Sequence, residues 1–215
     1  MKKSYIFDFD GTLVNSMPYF GGGAKQMLDD YGIAYPSDVV KIITPLGFGG
    51  TIAYFRDTLG LTIEQDAGVR ELIDRLHPYY RDEIGIKDGV EAFLLAAKEQ
   101  GVSLNVLTAN PHENLDVCLK RLGIYDLFDN VWSSDDFPTT KANPVTYTAA
   151  AERIGTAVDE CAFFDDNIVA VTSAMTAGMY GVGVYDPSGE EFAEEFRTTA
   201  DRYIDSFADV IGEEF

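Results

Sequence analysis

Two aspartates one residue apart, Asp8 and Asp10, close a short apolar run, Tyr5-Ile6-Phe7, and are followed at once by Gly11-Thr12. In extended backbone, side chains two apart point the same way, so the two carboxylates can share one small volume. Left unpaired they repel, and each is driven toward its neutral form. A divalent cation reverses that sign. Oxygen ligands of this kind suit Mg²⁺, which takes a few carboxylates and completes its shell with waters and substrate phosphate oxygens. A strand-to-loop junction whose aspartates accept backbone hydrogen bonds would read the same way. Taken alone, the pair does not decide between the two.

The elements that would position these residues follow the same pattern along the chain. Val102 to Leu107 reads as an apolar strand ending in Thr108, and Cys161 to Phe164 as another ending in Asp165-Asp166-Asn167. Val131 to Ser134 is a short strand, and the loop after it runs from Asp135 to Lys141. Helical patterns separate the strands. Asp88 and Glu91 are spaced as a capping box, with Val90, Phe93, Leu94 and Ala97 on one stripe. Asn110 is placed as an N-cap with Pro111 at the first helical position, and Asn143-Pro144 opens a helix that stops at Gly155. A helix ending at Ala177-Gly178, a strand from Tyr180 to Val184, and a final short strand and acidic helix between Ala200 and Ile211 complete the series. Alternating strands and helices predict an α/β fold, a parallel sheet with helices on both faces. Such sheets bind ligands beyond the carboxyl ends of their strands. Asp8, Asp10, Thr108, Lys141, Asp165 and Asp166 would then meet at one edge.

The stretch from Leu13 to about Tyr80 interrupts that series with helices alone. One helical pattern ends at Tyr31-Gly32, a second runs from Ile52 to Leu59, and a third starts at Thr62, with Val69, Leu72, Ile73 and Leu76 on one face. We therefore expect a core domain of residues 1–14 and 86–215 and an inserted helical domain of residues 15–85. Gly21-Gly22-Gly23 lacks the preceding strand and following Lys-Ser/Thr of a phosphate-binding loop, and is expected at a closely packed or mobile helix start. Leu46 to Thr51 is a second glycine-dense turn, suited equally to a substrate-touching loop and to a plain connection.

At 215 residues the chain can form one core, or a core with a smaller insert. Its formal charge of −20 excludes nucleic acid and an anionic membrane surface as natural partners. Cys118 and Cys161 sit far apart in apolar surroundings, so no disulfide framework is expected. The basic Met1-Lys2-Lys3 start is too brief for a signal peptide, and no apolar run is long enough to span a bilayer. A cytoplasmic protein is expected; monomer and homodimer are equally compatible with the sequence.

A carboxylate nucleophile, a second carboxylate, a hydroxyl, a lysine and a metal site together make a phosphoryl-transfer set. Asp8 would attack phosphorus and Asp10 would serve as general acid and then general base. Gly11, Thr108 and the amides of Ala109 and Asn110 at a helix start would hold phosphate oxygens. Lys141 would neutralise charge developing in the transition state. Asp166, helped by Asp165, would complete a Mg²⁺ shell with Asp8 and the carbonyl of Asp10. The implied partner is a small phosphorylated metabolite. Thr108 as a β-branched strand end, Lys141 as a loop charge and Asp165-Asp166 as a helix cap are the plain readings; their coincidence with Asp8 and Asp10 in one topology is not a good explanation.

Asp8-Phe9-Asp10-Gly11-Thr12, Leu107-Thr108-Ala109-Asn110, Lys141-Ala142-Asn143-Pro144 and Phe164-Asp165-Asp166-Asn167 resemble the four motifs of the haloacid dehalogenase-like superfamily. The helical insert is similar to the cap of the branch that contains phosphoglycolate phosphatase and β-phosphoglucomutase. That resemblance implies a Rossmann-like core, Mg²⁺, a cap closing over substrate, and attack by the first aspartate. Asp10 is absent from the true dehalogenases and so implies phosphoryl chemistry. Three positions depart from the pattern: Ala142 replaces a proline and would loosen its loop, Ala170 stands where relatives often carry an acid, and Asn15 stands where they often carry Asp.

A phosphatase is expected, with a β-phosphoglucomutase-like phosphomutase as the near rival and a non-catalytic phospho-accepting or binding module as the rival of another class. Receiver modules also gather Asp, Thr and Lys at strand ends, but they lack a helical insert after the first strand. His77 is expected to be structural, and His112, one turn beyond Thr108, could approach substrate.

Overall fold

The computed structural model describes residues 2–215. Its centre is β1 (Ser4–Phe7), whose four residues are all buried. The helical insert follows: α1 (Met17–Asp30), α2 (Val39–Ile43), α3 (Gly47–Asp57) and α4 (Gln65–Asp82). The chain then alternates α5 (Val90–Glu99), β2 (Ser103–Thr108), α6 (His112–Arg121), β3 (Asn130–Ser133), α7 (Pro144–Ile154), β4 (Cys161–Asp165), α8 (Ile168–Ala177), β5 (Tyr180–Val184), α9 (Ala193–Thr199) and β6 (Arg202–Ile204).

The six strands form one parallel sheet in the order β3-β2-β1-β4-β5-β6, the Rossmann-like α/β arrangement expected. Strand order reverses beside β1, which makes its carboxyl end the topological switch point. Phe7 is level with Val106 of β2 on one side and Phe164 of β4 on the other, so Asp8 emerges beside Leu107 and Asp165. Period-two alternation sends Tyr5 and Phe7 to one face of the sheet and Ile6 to the other. Tyr5 and Phe7 join Phe93 of α5, Leu115 of α6, Phe164 and Phe207 in one apolar cluster. Ile6 joins Leu107, Phe163, Tyr147 and Ala150 of α7, and Ala174 of α8 on the opposite face. The first cluster continues through Phe9 and Leu13 into Phe20, Met27, Ile52, Leu72 and Leu76 of the insert. The chain leaves and re-enters the sheet layer at one narrow place, where Asn15 N–H donates to Gly85 O (2.9 Å) and Lys87 N–H to Leu13 O (3.0 Å).

Several local expectations are corrected. The glycines at 21–23 lie in the middle of α1, not at a helix start; Gly21 packs on Val40 and Gly23 on Leu76, each too closely for a Cβ. The glycine-dense 46–51 segment is the first turn of α3, entered at Gly47 with φ of 63°. α4 begins at Gln65, three residues after the expected Thr62, and the Gln65 side chain donates to Gly49 O (2.8 Å). No Asp88–Glu91 box forms either. The N-cap of α5 is Gly89, left-handed at φ 76°, where a Cβ would fall 2.1 Å from Ala208 N. Close approach of the 207–210 turn, not side-chain capping, sets that helix start. The carboxyl-terminal acidic stretch forms α9 before β6 and only a 3₁₀ turn, Phe207–Val210, after it.

Phe93 is 1% exposed and touches Tyr5, Phe7, Phe164, Phe207 and Phe215 with ring-centroid separations of 5.1–6.2 Å. Truncation there leaves a cavity in the middle of the aromatic layer. Phe93→Ala should cost about 3–5 kcal/mol in denaturant unfolding; a loss near zero would show that this layer is not what holds α5 to the sheet.

Candidate active site

The carboxyl ends of β1, β2 and β4 deliver Asp8, Thr108 and Asp165 to one edge, and the loop after β3 adds Lys141. Lys141 Nζ lies 2.7 Å from Asp165 Oδ2, with which it hydrogen-bonds, and 2.8 Å from Asp8 Oδ1. Burial opposes the charge on Lys141, but the carboxylates of Asp165 and Asp8 outweigh it and hold the ammonium well above its ordinary pKa. Its loop is fixed from both sides, because Tyr147 Oη donates to Lys141 O (2.8 Å) and Ser173 Oγ to Ala142 O (3.0 Å). Those two bonds anchor a loop that the missing proline was expected to loosen.

Asp8, Asp165 and Asp166 each bring a carboxylate oxygen within 4.8 Å of the others. Burial and the neighbouring carboxylates push the carboxyls of Asp165 and Asp166 upward, burial being the larger cause in both. Asp8 Oδ1 is buried and makes no aligned hydrogen bond, the Lys141 ammonium standing 2.8 Å from it. Three carboxylates converging as hard anionic donors fit Mg²⁺. Asp166 is further held by Thr12, whose hydroxyl donates to its Oδ1 (3.0 Å) and accepts from its backbone N–H (3.1 Å). Asp165 Oδ1 accepts from Asn167 N–H (2.7 Å).

Asp10 faces elsewhere. Its Oδ1 accepts from Tyr80 Oη of α4 (2.6 Å) and its Oδ2 from Asn110 Nδ2 (2.7 Å). Burial is the main cause that raises its pKa; the Tyr80 hydrogen bond opposes this and the charge of Asp8 adds to it. Two carboxyls with separated environments, one beside an ammonium and one shielded, suit different proton roles.

The remaining expected residues fall as follows. Thr108 is buried at the end of β2, and its Oγ1 accepts the Asn110 N–H (3.2 Å). Asn110 is therefore turned inward rather than capping α6, and Pro111 takes the N-cap position. Ala109 is exposed on the cavity floor. Gly11 does not offer its amide, which donates to Val14 O (3.1 Å). Its contribution is space: φ is 71°, and a Cβ would stand 2.4 Å from Asp166 Oδ2. His112 lies outside the cavity, its ring between Asp116 (3.1 Å) and Asp136 (2.9 Å). Against the cost of burial those two carboxylates raise its pKa. His77 pairs with Asn114 Oδ1 (2.9 Å) between α4 and α6, a structural contact.

Sequence reasoning did not find Tyr80, Thr12 or Lys87. Lys87 Nζ donates to Gly11 O (2.6 Å) and Tyr185 O (2.6 Å) and pairs with Asp186 (3.2 Å), tying the loop after β1 to the one after β5. Only Thr12 carried a signal, its place in the Asp-Gly-Thr run. Both cysteines are free and buried, with burial pushing each thiol up to about 11.

A parallel sheet with a switch-point carboxylate cluster, roofed by helices inserted after the first strand, defines a Rossmann-like protein with an acidic, metal-ready centre. Residues 2–178 match the haloacid dehalogenase-like hydrolases, and the chain belongs to that family. A phosphoglycolate phosphatase of Neisseria meningitidis is 31% identical over 193 residues, 85% of this chain and 80% of that protein. A variant of CbbY from Rhodobacter sphaeroides, solved with xylulose-1,5-bisphosphate, is similar at a TM-score of 0.86 and 21% identity, over 98% of this chain and 96% of that one. β-Phosphoglucomutase from Clostridium difficile is similar at 0.78 and 19% identity, over 98% and 93%. At such identities the two structures speak for the fold. Among the described residues no helix is long and apolar enough to cross a membrane.

A carboxyl raised by folding favours the folded state below the ordinary aspartate pKa, near 4, and that contribution is lost as pH climbs through the raised value. Metal-free protein should therefore melt at lower temperature near pH ~8 than near pH ~5.5, and Asp166→Asn should shrink the difference. Thermal unfolding in chelator checks this. An undiminished difference in the variant would assign the pH dependence to groups other than Asp166.

Proposed function

We propose that this chain is a Mg²⁺-dependent phosphatase that hydrolyses a small phosphorylated metabolite through an aspartyl-phosphate on Asp8, with Asp10 as general acid and base. The observation that carries the reading is the convergence of Asp8, Lys141, Asp165 and Asp166 at one sheet edge, with the raised carboxyl of Asp10 held apart beside them. Relatives named phosphoglycolate phosphatase support a phosphate monoester as substrate.

Asp8, Asp165 and Asp166, with the carbonyl of Asp10, would hold the ion. When bound it neutralises charge on the substrate phosphate and on the crowded carboxylates. An Asp8 carboxylate oxygen forms a bond to phosphorus as the ester P–O bond breaks, and the Asp10 carboxyl gives its proton to the departing alcohol oxygen. Asp10, now ionised, takes a proton from the water that attacks phosphorus, and the bond to Asp8 breaks to release phosphate. Lys141 balances charge on the transferring group, and the Thr108 hydroxyl and Ala109 amide hold its oxygens. Residues 15–85 act as a cap over a core of residues 1–14 and 86–215. Two buried, unpaired thiols suit a reducing, cytoplasmic setting.

A phosphomutase would share the intermediate but must hold a second sugar hydroxyl for return of the phosphoryl group. The polar side chains that the insert turns to the cavity are already engaged, Thr44 by Val40 O and Tyr80 by Asp10, which favours hydrolysis over that reading. A phospho-accepting module has no use for a roofed cavity of about 570 Å³.

Phosphate release from monoesters, with Mg²⁺ and with chelator, tests the proposal. Asp8→Asn should abolish metal-dependent release while the protein stays folded; substantial remaining turnover would reject Asp8 as nucleophile. Asp10→Asn should slow turnover by about 10²–10⁴-fold, and a change of only a few-fold would move the proton role to another group.

A further inference from the structure

The cavity above the carboxylate edge has two unlike halves. The half on the sheet side carries Asp8, Thr108, Lys141 and Asp166, where a phosphate would sit. The other half is built by the insert, from Met17 and Phe20 of α1, Leu46 and Phe48 at the start of α3, and Val69 and Ile73 of α4. Here the walls are largely apolar, the polar Thr44 and Tyr80 being engaged by Val40 O and Asp10, and Gly47, Gly49 and Gly50 keep side chains from narrowing them.

Charge divides just as sharply. Among the described residues that line the cavity, Lys141 is the one cation, and it is already shared between Asp8 and Asp165. The carboxylates of Asp8, Asp10, Asp135 and Asp166 also line it. The basic side chains of the insert lie outside the walls. Arg70 pairs with Asp74 and Glu113, Arg75 with Asp30 and Glu71, Arg81 with Asp82, and Lys41 with Glu191, while Arg56 bonds Gln65 and Lys25 is exposed on α1 away from the lining. An anion taken from water into such a space finds no counter-ion, and desolvation without a partner is costly. The phosphate itself is provided for at the sheet edge; a second negative group is not.

Resting on the phosphatase reading, we propose that the substrate is the phosphate monoester of an uncharged, largely apolar alcohol, which the insert half of the cavity covers. Phosphoglycolate and sugar bisphosphates, whose far ends are anionic, are then poor substrates for this chain. The walls contributed by residues 17–80 set the leaving group.

The test compares kcat/KM, with Mg²⁺, for hexyl phosphate and 2-phenylethyl phosphate against phosphoglycolate and a pentulose bisphosphate. Alkyl esters are used so that an activated leaving group does not decide the order, and p-nitrophenyl phosphate is included separately as an activated ester. Hexyl phosphate should exceed phosphoglycolate by roughly 10²-fold, since a single buried methylene is worth about 10–200-fold in specificity. Equal or higher kcat/KM for phosphoglycolate or the bisphosphate would overturn the inference and leave the phosphatase reading standing. No metal-dependent release from any ester, the activated one included, would remove that reading and the inference with it. Leu46 is 42% exposed on the cavity rim, so Leu46→Arg can add a cation there without entering the core. That variant should move the ratio toward phosphoglycolate by about tenfold; an unmoved ratio would show that these walls do not meet the leaving group.

Discussion

Like charges held close together are the constraint on which this molecule turns. Parallel register places Asp8 beside Asp165, and the next residue, Asp166, shares the same pocket. One ammonium is set among them. Without it, and without a cation in the cluster, the edge would either protonate or push itself apart. Much of the surrounding structure serves to keep that arrangement. Thr12 grips Asp166, Asn167 N–H holds Asp165, and Tyr147 with Ser173 clamps the loop that carries Lys141. Gly11 leaves room where any side chain would strike the Asp166 carboxylate.

Asp10 shows how a second carboxyl two residues away is kept out of that crowd. Tyr80 and Asn110 take one oxygen each and turn the group toward the insert. Tyr80 belongs to α4, whereas Asn110 follows β2, so the Asp10 carboxyl is held jointly by the insert and the sheet layer. The backbone of the same tyrosine is engaged as well, since its carbonyl accepts from Arg121 of α6 (3.2 Å).

The strand-end residues were legible because each apolar run stops at a polar residue, and a parallel sheet leaves only one edge for them to meet. The side chains that orient them were not legible. Tyr80 falls in a helix with Leu72, Ile73 and Leu76 and reads as one more core aromatic; its hydroxyl matters only once α4 is laid over Asp10. Asn110 reads as an N-cap because Asn-Pro before a helix is a strong local signal, yet a neighbouring carboxylate drew its amide inward. Local capping lost again at Gly89, where the 207–210 turn, more than a hundred residues on, packs against the backbone. The acidic tail also differs from its expected form, coiling as α-helix before β6 and as a 3₁₀ turn after it. Propensity is local, and these positions answer to distant parts of the chain.

Lys87 gives the last stretch of the chain a purpose that its composition conceals. Nothing after Asn167 belongs to the expected catalytic set, and the family match itself ends at residue 178. Yet the ammonium of Lys87, 14% exposed, reaches across to Tyr185 O and the buried Asp186 while its third bond steadies Gly11 O. Residues 179–215 are thus a counterweight to the loop that carries the opening aspartates. A chain shortened before residue 179 would leave that cation only Gly11 O to bond, beside the loop that carries the opening aspartates.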